Sequence, residues 1–237
     1  FLYYDVKRKN VKAFNWILFD ADETLFHFDA YAGLHLLFKG YGVDFTLEQY
    51  DVYQALNQPL WVQYQSGEIG AKQLQEQRFS YWGQQLNIAP SVLNAGFLQA
   101  MAEVCTPLPG AVSLLNALQG KAKLGIITNG FTDLQQIRLE RTGLHNHFDI
   151  LVISEQVGVA KPHPQIFSHA KELMGNPDPA TVLMVGDNPI ADIGGGKQAG
   201  FYTCWLNRFH ATLPAGITAD LEVQSLAELE AALSAFL

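Results

Sequence analysis

Short apolar runs, each followed by polar residues, alternate along this chain with longer segments of helical period. The first run, Trp16 to Phe19, ends directly at Asp20 and Asp22. A run that is apolar at every position predicts a strand buried on both faces, as in a parallel sheet. Comparable runs follow at residues 124–127, 148–154, 181–187 and 202–206. Strands that alternate with helices predict an α/β fold, a doubly wound parallel sheet with helices on both faces.

Residues 29–106 interrupt this alternation, because they carry helical periodicity and no strand-like run. We therefore predict an all-helical insertion at 29–106 and a core made of residues 14–28 and 107–237. Residues 1–13 are predicted to be an N-terminal tail or extension outside the fold.

Five helices are predicted inside the insertion from its start and stop residues. The second begins at Thr46 and ends at Pro59, because proline lacks the N–H that continues a helix. The third starts directly after it, and the fourth runs unbroken through Phe79 to Leu86.

Composition narrows the class of protein. A chain of 237 residues with 49% hydrophobic residues has ample material for a buried core. Its net charge of −8 argues against a broad surface for nucleic acid polymers. No stretch approaches the length of a membrane span, and no apolar segment of a secretory signal follows the basic residues 7–9. Cys105 and Cys204 lack CxxC partners, so we expect free thiols and a cytoplasmic location.

Polar residues follow four of the predicted strands or lie in the loops after them. They are Asp20 and Asp22, Thr128 and Asn129, Lys161, and Asp187 with Asp192. Taken singly, the aspartates can be turn residues and Thr128 a helix N-cap. Lys161 alone is more simply a solvated surface residue. Because the carboxyl ends of parallel strands share one edge of a sheet, we expect all of these groups to converge.

The chemistry that needs this set is phosphoryl transfer to a carboxylate. Asp20 would attack phosphorus, and Asp22 would protonate the leaving oxygen and later take a proton from water. Thr128 and the backbone around Asn129 would bind phosphoryl oxygens. Lys161 would hold both Asp20 and the phosphate.

A hard divalent cation, Mg²⁺ before others, would neutralise the phosphoryl charge. We predict that Asp20, the backbone carbonyl of Asp22, and Asp187 ligate it. Asp192 would support the site from the outer shell. A zinc site is not expected, since no cluster of His and Cys faces this edge.

These residues resemble the haloacid dehalogenase superfamily. The matching motifs are DADET at 20–24, ITNG at 127–130, Lys161-Pro162 and GDNPIAD at 186–192. The resemblance implies a Rossmann-like core, an aspartyl-phosphate intermediate and Mg²⁺, with Mn²⁺ or Co²⁺ as substitutes. A helical insertion directly after the first motif is similar to the C1 cap of that superfamily. The second aspartate, Asp22, is absent from its dehalogenases and so favours a phosphatase or phosphomutase.

Longer segments, among them FDADETLF and GIITNGFTDLQQIRLERTGL, resemble the bacterial pyrimidine 5′-nucleotidase branch. That resemblance implies a small-molecule phosphate monoester, a pyrimidine nucleoside 5′-monophosphate, as substrate. A sugar-phosphate phosphatase, a phosphomutase and a non-catalytic binding module remain alternatives. Base preference, sugar preference and oligomeric state stay open.

The insertion is expected to supply the pocket for the leaving group. Phe28, Trp61 and Tyr64 are the candidates to stack a base or sugar, although Trp61 is more simply helical core. Arg78 can reach inward, but a solvated helix arginine is the simpler expectation.

Overall fold

The fold is taken from a computed structural model that describes residues 14–234. The tail predicted for residues 1–13 lies outside the described residues, as does the end predicted for the last helix. No helix in this part of the chain is long and apolar enough to cross a membrane.

The centre of the fold is a sheet of six parallel strands. In chain order they are β1 (Trp16–Phe19), β2 (Lys123–Thr128), β3 (Ile150–Ile153), β4 (Val182–Gly186), β5 (Tyr202–Leu206) and β6 (Leu221–Val223). Their order across the sheet is β3-β2-β1-β4-β5-β6. The order reverses between β1 and β4, and ligands of α/β proteins bind outside the carboxyl ends of strands at such a reversal. The three-residue β6 is too short for the sequence pattern to reveal.

Within residues 14–234, eleven α-helices accompany the sheet. They are α1 (Ala30–Lys39), α2 (Leu47–Gln65), α3 (Ala71–Gln77), α4 (Ser80–Leu86), α5 (Pro90–Val104), α6 (Ala111–Leu118), α7 (Thr132–Arg141), α8 (Ser154–Val157), α9 (Pro164–Leu173), α10 (Gly195–Gln198) and α11 (Leu226–Leu233). The helix predicted after β4 begins instead as a π-helix, Pro189–Gly194, which continues into α10.

The two faces of β1 pack into two separate clusters, which is why this strand is apolar throughout. Ile17 and Phe19 pack with buried residues of α6 and α11. Trp16 and Leu18 point to the other face and pack with buried residues of α9. The alternation follows from the two-residue period of a strand. The predicted parallel sheet with helices on both faces is confirmed.

Helices α1 to α5 lie between β1 and β2 in the chain and supply most of a third apolar cluster. This cluster contains stacked aromatic residues, such as Phe38 and Phe45 at 4.8 Å between ring centroids. It also includes Phe131 and Leu134 at the start of α7, so α7 packs against the inserted helices.

Two helix boundaries inside the insertion were predicted wrongly. Pro59 does not end a helix, because α2 continues through it to Gln65. Tyr53 and Tyr64 lie on opposite sides of Pro59 in the sequence and are both buried, so packing along one face outweighs the lost hydrogen bond. The predicted fourth helix is split into α3 and α4. The break allows the neighbours Arg78 and Phe79 both to be buried.

Candidate active site

The carboxyl ends of three adjacent strands bring the polar residues of the sequence motifs together. Asp20 follows β1, Thr128 ends β2, and Asp187 follows β4. Lys161 enters from the loop between α8 and α9. All four line one cavity of about 230 Å³ at the reversal of strand order.

Lys161 is the buried cation at the centre of this cavity. Its Nζ lies 2.6 Å from Asp20 Oδ1 and 2.6 Å from Asp192 Oδ1. Asn129 fixes the backbone of Lys161, because its carboxamide donates to the Lys161 carbonyl at 2.9 Å and accepts from the Lys161 N–H at 2.7 Å. Asn129, which follows β2, therefore fixes the position of Lys161, which follows α8.

Three carboxylates form an acidic cluster beside Lys161. Asp20, Asp187 and Asp192 each offer one oxygen, and these oxygens lie within 4.8 Å of one another. Asp192 also accepts from the backbone N–H of Asn188 at 3.0 Å. A side chain at Gly186 would collide with the Asp192 carboxylate, so glycine is needed at the end of β4. Clustered carboxylate oxygens are the ligands that Mg²⁺ prefers, and the donor set fits this ion.

Burial and mutual repulsion shift the ionisation of these groups. Burial raises the pKa of Asp20 to about 8, with Lys161 opposing the rise and the neighbouring carboxylates adding to it. Burial likewise raises the pKa of Asp187 to about 7. For Lys161, burial alone would lower the pKa, but Asp192 and Asp20 outweigh it and raise the pKa. Because the pKa of Asp20 stays raised despite Lys161, added positive charge at the acidic cluster would favour the ionised form of Asp20.

Asp22 lies apart from the acidic cluster and has a different partner. Its Oδ1 accepts from Nη1 of the buried Arg138 at 2.5 Å. Sequence reasoning missed Arg138, although a signal was present. Leu134, Gln135, Arg138 and Leu139 are all buried and follow helical spacing on α7.

Glu23, the residue after Asp22, was also missed and fixes the loop that follows the first motif. It adopts a left-handed backbone, with φ of 59°. Its carboxylate accepts from the N–H of Phe28 at 2.6 Å and pairs with Arg208. Glu23 thus holds Phe28, which lines the cavity beside Asp20.

A second cavity of about 300 Å³ adjoins the first, and Asp22, Phe28 and Trp61 line both. Asn57 and Arg78 lie on its wall. A larger depression of about 570 Å³ contains residues before β1 and β2, at the opposite edge of the sheet from Asp20. The residues of the sequence motifs therefore line the two smaller cavities and not this depression.

Arg78 is buried, so the expectation of a solvated arginine was wrong. Its guanidinium donates to Asn94 Oδ1 and lies 5.0 to 5.4 Å from the ring centroids of Phe79, Phe97 and Phe131. The aromatic faces stabilise the cation. Burial lowers the pKa of Arg78, an effect that Tyr53 opposes.

The aromatic residues predicted to contact substrate have different places. Phe28 and Trp61 line both cavities, and Trp61 stacks on Phe131 at 5.4 Å between centroids. Tyr64 lines neither cavity, because its hydroxyl is 2.8 Å from the buried Ser154 Oγ. In this arrangement Tyr64 joins α2 to the start of α8.

Comparisons with known proteins show what this chain is similar to. The model of the haloacid dehalogenase-like hydrolases matches residues 14–200. Pyrimidine 5′-nucleotidase YjjG of Escherichia coli (strain K12) is 60% identical over 216 residues, which span 91% of this chain and 96% of that protein. Pyrimidine 5′-nucleotidase PynA of Streptococcus pneumoniae is 32% identical over 223 residues, 91% of this chain and 93% of that protein. The magnesium-bound crystal structure of the putative HAD-hydrolase YfnB from Bacillus subtilis superimposes with a TM-score of 0.81 at 29% identity, covering 94% of this chain and 99% of that one.

Proposed function

Because this chain belongs to the haloacid dehalogenase-like hydrolase family, we propose that it hydrolyses pyrimidine nucleoside 5′-monophosphates to nucleoside and phosphate with Mg²⁺. The observation that carries the proposal is the pairing of Asp20 with buried Lys161, with Asp22 on the wall shared by both cavities. The pyrimidine assignment is supported by similarity to the two nucleotidases.

In the first half of the reaction, Asp20 attacks phosphorus and the bond to the leaving oxygen breaks. Lys161 holds the Asp20 carboxylate and faces the phosphoryl group. Asp22 donates its proton to the leaving oxygen, so a nucleoside departs with its hydroxyl restored. The products of this half-reaction are the nucleoside and an aspartyl-phosphate.

In the second half, water attacks phosphorus and Asp20 leaves as a carboxylate. Asp22, now ionised, accepts a proton from that water. Thr128 and the backbone around Asn129 bind the phosphoryl oxygens. Gly130 N–H already donates to Thr128 Oγ1 at 3.0 Å, which orients this hydroxyl.

We propose that Asp20, the Asp22 carbonyl and Asp187 hold the cation, with Asp192 in the outer shell. The close approach of the Asp20 and Asp187 oxygens supports this assignment. When bound, Mg²⁺, or Mn²⁺ or Co²⁺ in its place, supplies charge that neutralises the phosphoryl oxygens. The chain's own cation, Lys161, contacts Oδ1 of the same nucleophile.

We propose that residues 29–106 act as a C1-type cap on a core of residues 14–28 and 107–237, with the second cavity holding the leaving nucleoside. Phe28 and Trp61 present aromatic surface to it. Asn57 and Arg78 add an acceptor and a cationic donor. Asp22 lies between this cavity and the nucleophile, where a leaving oxygen would be.

A small phosphate monoester is the proposed partner, rather than a nucleic acid polymer or a membrane. Cavities of about 230 and 300 Å³ suit a ligand of nucleotide size. A cytoplasmic location is also proposed. It is supported by Cys105 and Cys204, which are free thiols as expected in a reducing compartment.

Phosphate release from a substrate panel, with Mg²⁺ and with EDTA, tests the function. The panel contains dUMP, UMP, dTMP, CMP, dAMP, a hexose phosphate and 4-nitrophenyl phosphate. We expect release that depends on Mg²⁺ and is concentrated on the pyrimidine nucleotides. Turnover of sugar phosphates alone would discard the nucleotidase assignment, and no release from any member would discard the phosphatase mechanism.

A further inference from the structure

Arg138 is buried beneath Asp22 and contacts both ends of the loop that carries the first motif. Its Nη1 donates to Asp22 Oδ1 at 2.5 Å, and its guanidinium lies 4.5 Å from the ring centroid of Phe26. Three residues separate these two partners in sequence, and the partners also form an isolated β-bridge with each other. Arg138, a single side chain of α7, therefore packs against this loop and contacts two of its residues.

Arg138 is itself held in place. Its Nη2 donates to Oε1 of Gln135 at 2.5 Å, one turn earlier on α7. Arg138 and Gln135 are both fully buried, with 1% and 0% of their surface exposed. A planar guanidinium with two fixed acceptors and an aromatic ring has little freedom to rotate, so its Nη1 is a fixed donor.

The contact with Arg138 distinguishes the two oxygens of Asp22. Oδ1 is engaged by the buried guanidinium. A methyl group placed on Gly130 would collide with Gln135 Nε2 and would lie 3.2 Å from Thr128 Oγ1 and 3.3 Å from Asp22 Oδ2. Oδ2 therefore lies on the side of Gly130 and the Thr128 hydroxyl, where a phosphoryl group would be bound.

We propose that Arg138 is a positioning residue that fixes Asp22 so that Oδ2 transfers the proton to and from the reacting oxygens. The inference rests on the proposed function, because it assigns how that site is oriented. As the phosphorus–oxygen bond breaks, the proton passes from Oδ2 to the leaving oxygen and Oδ1 stays on Arg138. In the second step Oδ2 takes the proton of the attacking water.

A positioning role predicts a dependence on the leaving group that a purely structural role lacks. A nucleoside alkoxide is strongly basic and needs a proton to depart, whereas 4-nitrophenolate leaves without one. The ratio kcat/KM reports the steps up to departure of the leaving group. Loss of orientation at Asp22 must therefore reduce kcat/KM for a nucleotide far more than for 4-nitrophenyl phosphate.

The test compares Arg138→Met with Arg141→Met, the same substitution at an exposed residue one turn further along α7. For Arg138→Met we expect kcat/KM on dTMP to fall about 100-fold, within the range for general acid–base catalysis, and little change on 4-nitrophenyl phosphate. Arg141→Met should match the wild type on both substrates. Equal losses on both substrates for Arg138→Met would overturn the proposal.

A double mutant separates action through Asp22 from other effects. If Arg138 acts only by orienting Asp22, then adding Arg138→Met to Asp22→Asn should change dTMP turnover no further. Additive losses would overturn the proposal. Should thermal unfolding show that Arg138→Met does not fold, Arg138→Lys is compared in the same two ways. A wild-type enzyme that released no phosphate from either substrate would instead count against the proposed function.

Discussion

Two buried arginines, one in the sheet domain and one among the inserted helices, are held in opposite ways. Arg138 pairs with the Asp22 carboxylate and with Gln135. Arg78 donates to the Asn94 carboxamide and lies against three aromatic rings. No carboxylate among residues 14–234 forms an ion pair with Arg78. Arg138 is therefore paired with a carboxylate, whereas Arg78 has the neutral Asn94 carboxamide and the ring faces as its partners.

Other polar side chains of the two regions differ in the same way, since those at the sheet edge are paired and one on the second cavity is not. At the sheet edge, Lys161 is paired with two carboxylates. On the second cavity, Asn57 Oδ1 is buried and has no hydrogen-bond partner among residues 14–234. A buried acceptor without a partner is unfavourable in the free protein, and a ligand can satisfy it. We therefore propose that the sheet edge acts on the phosphate group of any substrate, whereas the inserted helices select the leaving group.

Among the substitutions that compare the two regions, the largest effect should come from Lys161→Met, which removes the cation of the sheet edge. Two buried carboxylates would lose their partner, so we expect the free energy of unfolding to fall by about 3 kcal/mol. Because Lys161 serves the phosphate and not the leaving group, kcat/KM should fall together for dTMP and 4-nitrophenyl phosphate, by 100-fold or more in order of magnitude. Denaturant unfolding and steady-state kinetics measure the two losses.

Lys197→Met is the matched control for that experiment. Lys197 pairs with Asp220 but is 36% exposed, and an exposed pair contributes roughly 0–1 kcal/mol. This variant should keep both activities. Suppose that Lys161→Met retained activity on 4-nitrophenyl phosphate but lost activity on the nucleotide. That result would contradict the proposed division of roles between the sheet edge and the inserted helices.

A smaller effect is expected from Asn57→Leu, which removes the unpaired acceptor on the second cavity and keeps the side-chain size. One lost hydrogen bond of about 1.4 kcal/mol corresponds to about tenfold in kcat/KM for the pyrimidine nucleotide. Turnover of 4-nitrophenyl phosphate should not change. Stability should be equal or higher, because a buried unpaired acceptor is removed.

Gln58→Leu, the same kind of change at the exposed next residue of α2, serves as the control and should leave both substrates unaffected. The interpretation of the second cavity fails if Asn57→Leu lowers the two activities equally. It also fails if the variant has wild-type kcat/KM for every pyrimidine nucleotide in the panel.

The sheet domain could be predicted from sequence because its constraints are local. Continuous apolar runs marked β1, β2 and β4, and polar residues at their ends placed Asp20, Thr128 and Asp187 on one edge. Their convergence then follows from the parallel topology, because the carboxyl ends of all strands in a parallel sheet lie at the same edge. The same logic did not reveal β6, whose three residues carry too little pattern.

The inserted helices were harder to predict, because tertiary packing there outweighs local preference. Pro59 lies within α2, and Arg78 is buried among aromatic rings instead of in water. Arg138 was missed for the same reason, because an arginine is usually exposed. Only its helical spacing with the other buried residues of α7 indicates that it lies on the buried face. Partners distant in sequence decide the burial of these residues, and only Arg138 had a local signal, the helical spacing of its neighbours on α7.

The most direct test of the account is to trap the phosphorylated enzyme. Wild-type protein and Asp20→Asn are mixed with dTMP and Mg²⁺, quenched in acid, digested and analysed by mass spectrometry. We expect a phosphoryl group on Asp20 of the wild type, none in Asp20→Asn, and no turnover by that folded variant. Sustained turnover by a pure Asp20→Asn preparation, or a phosphoryl group on another residue, would contradict it.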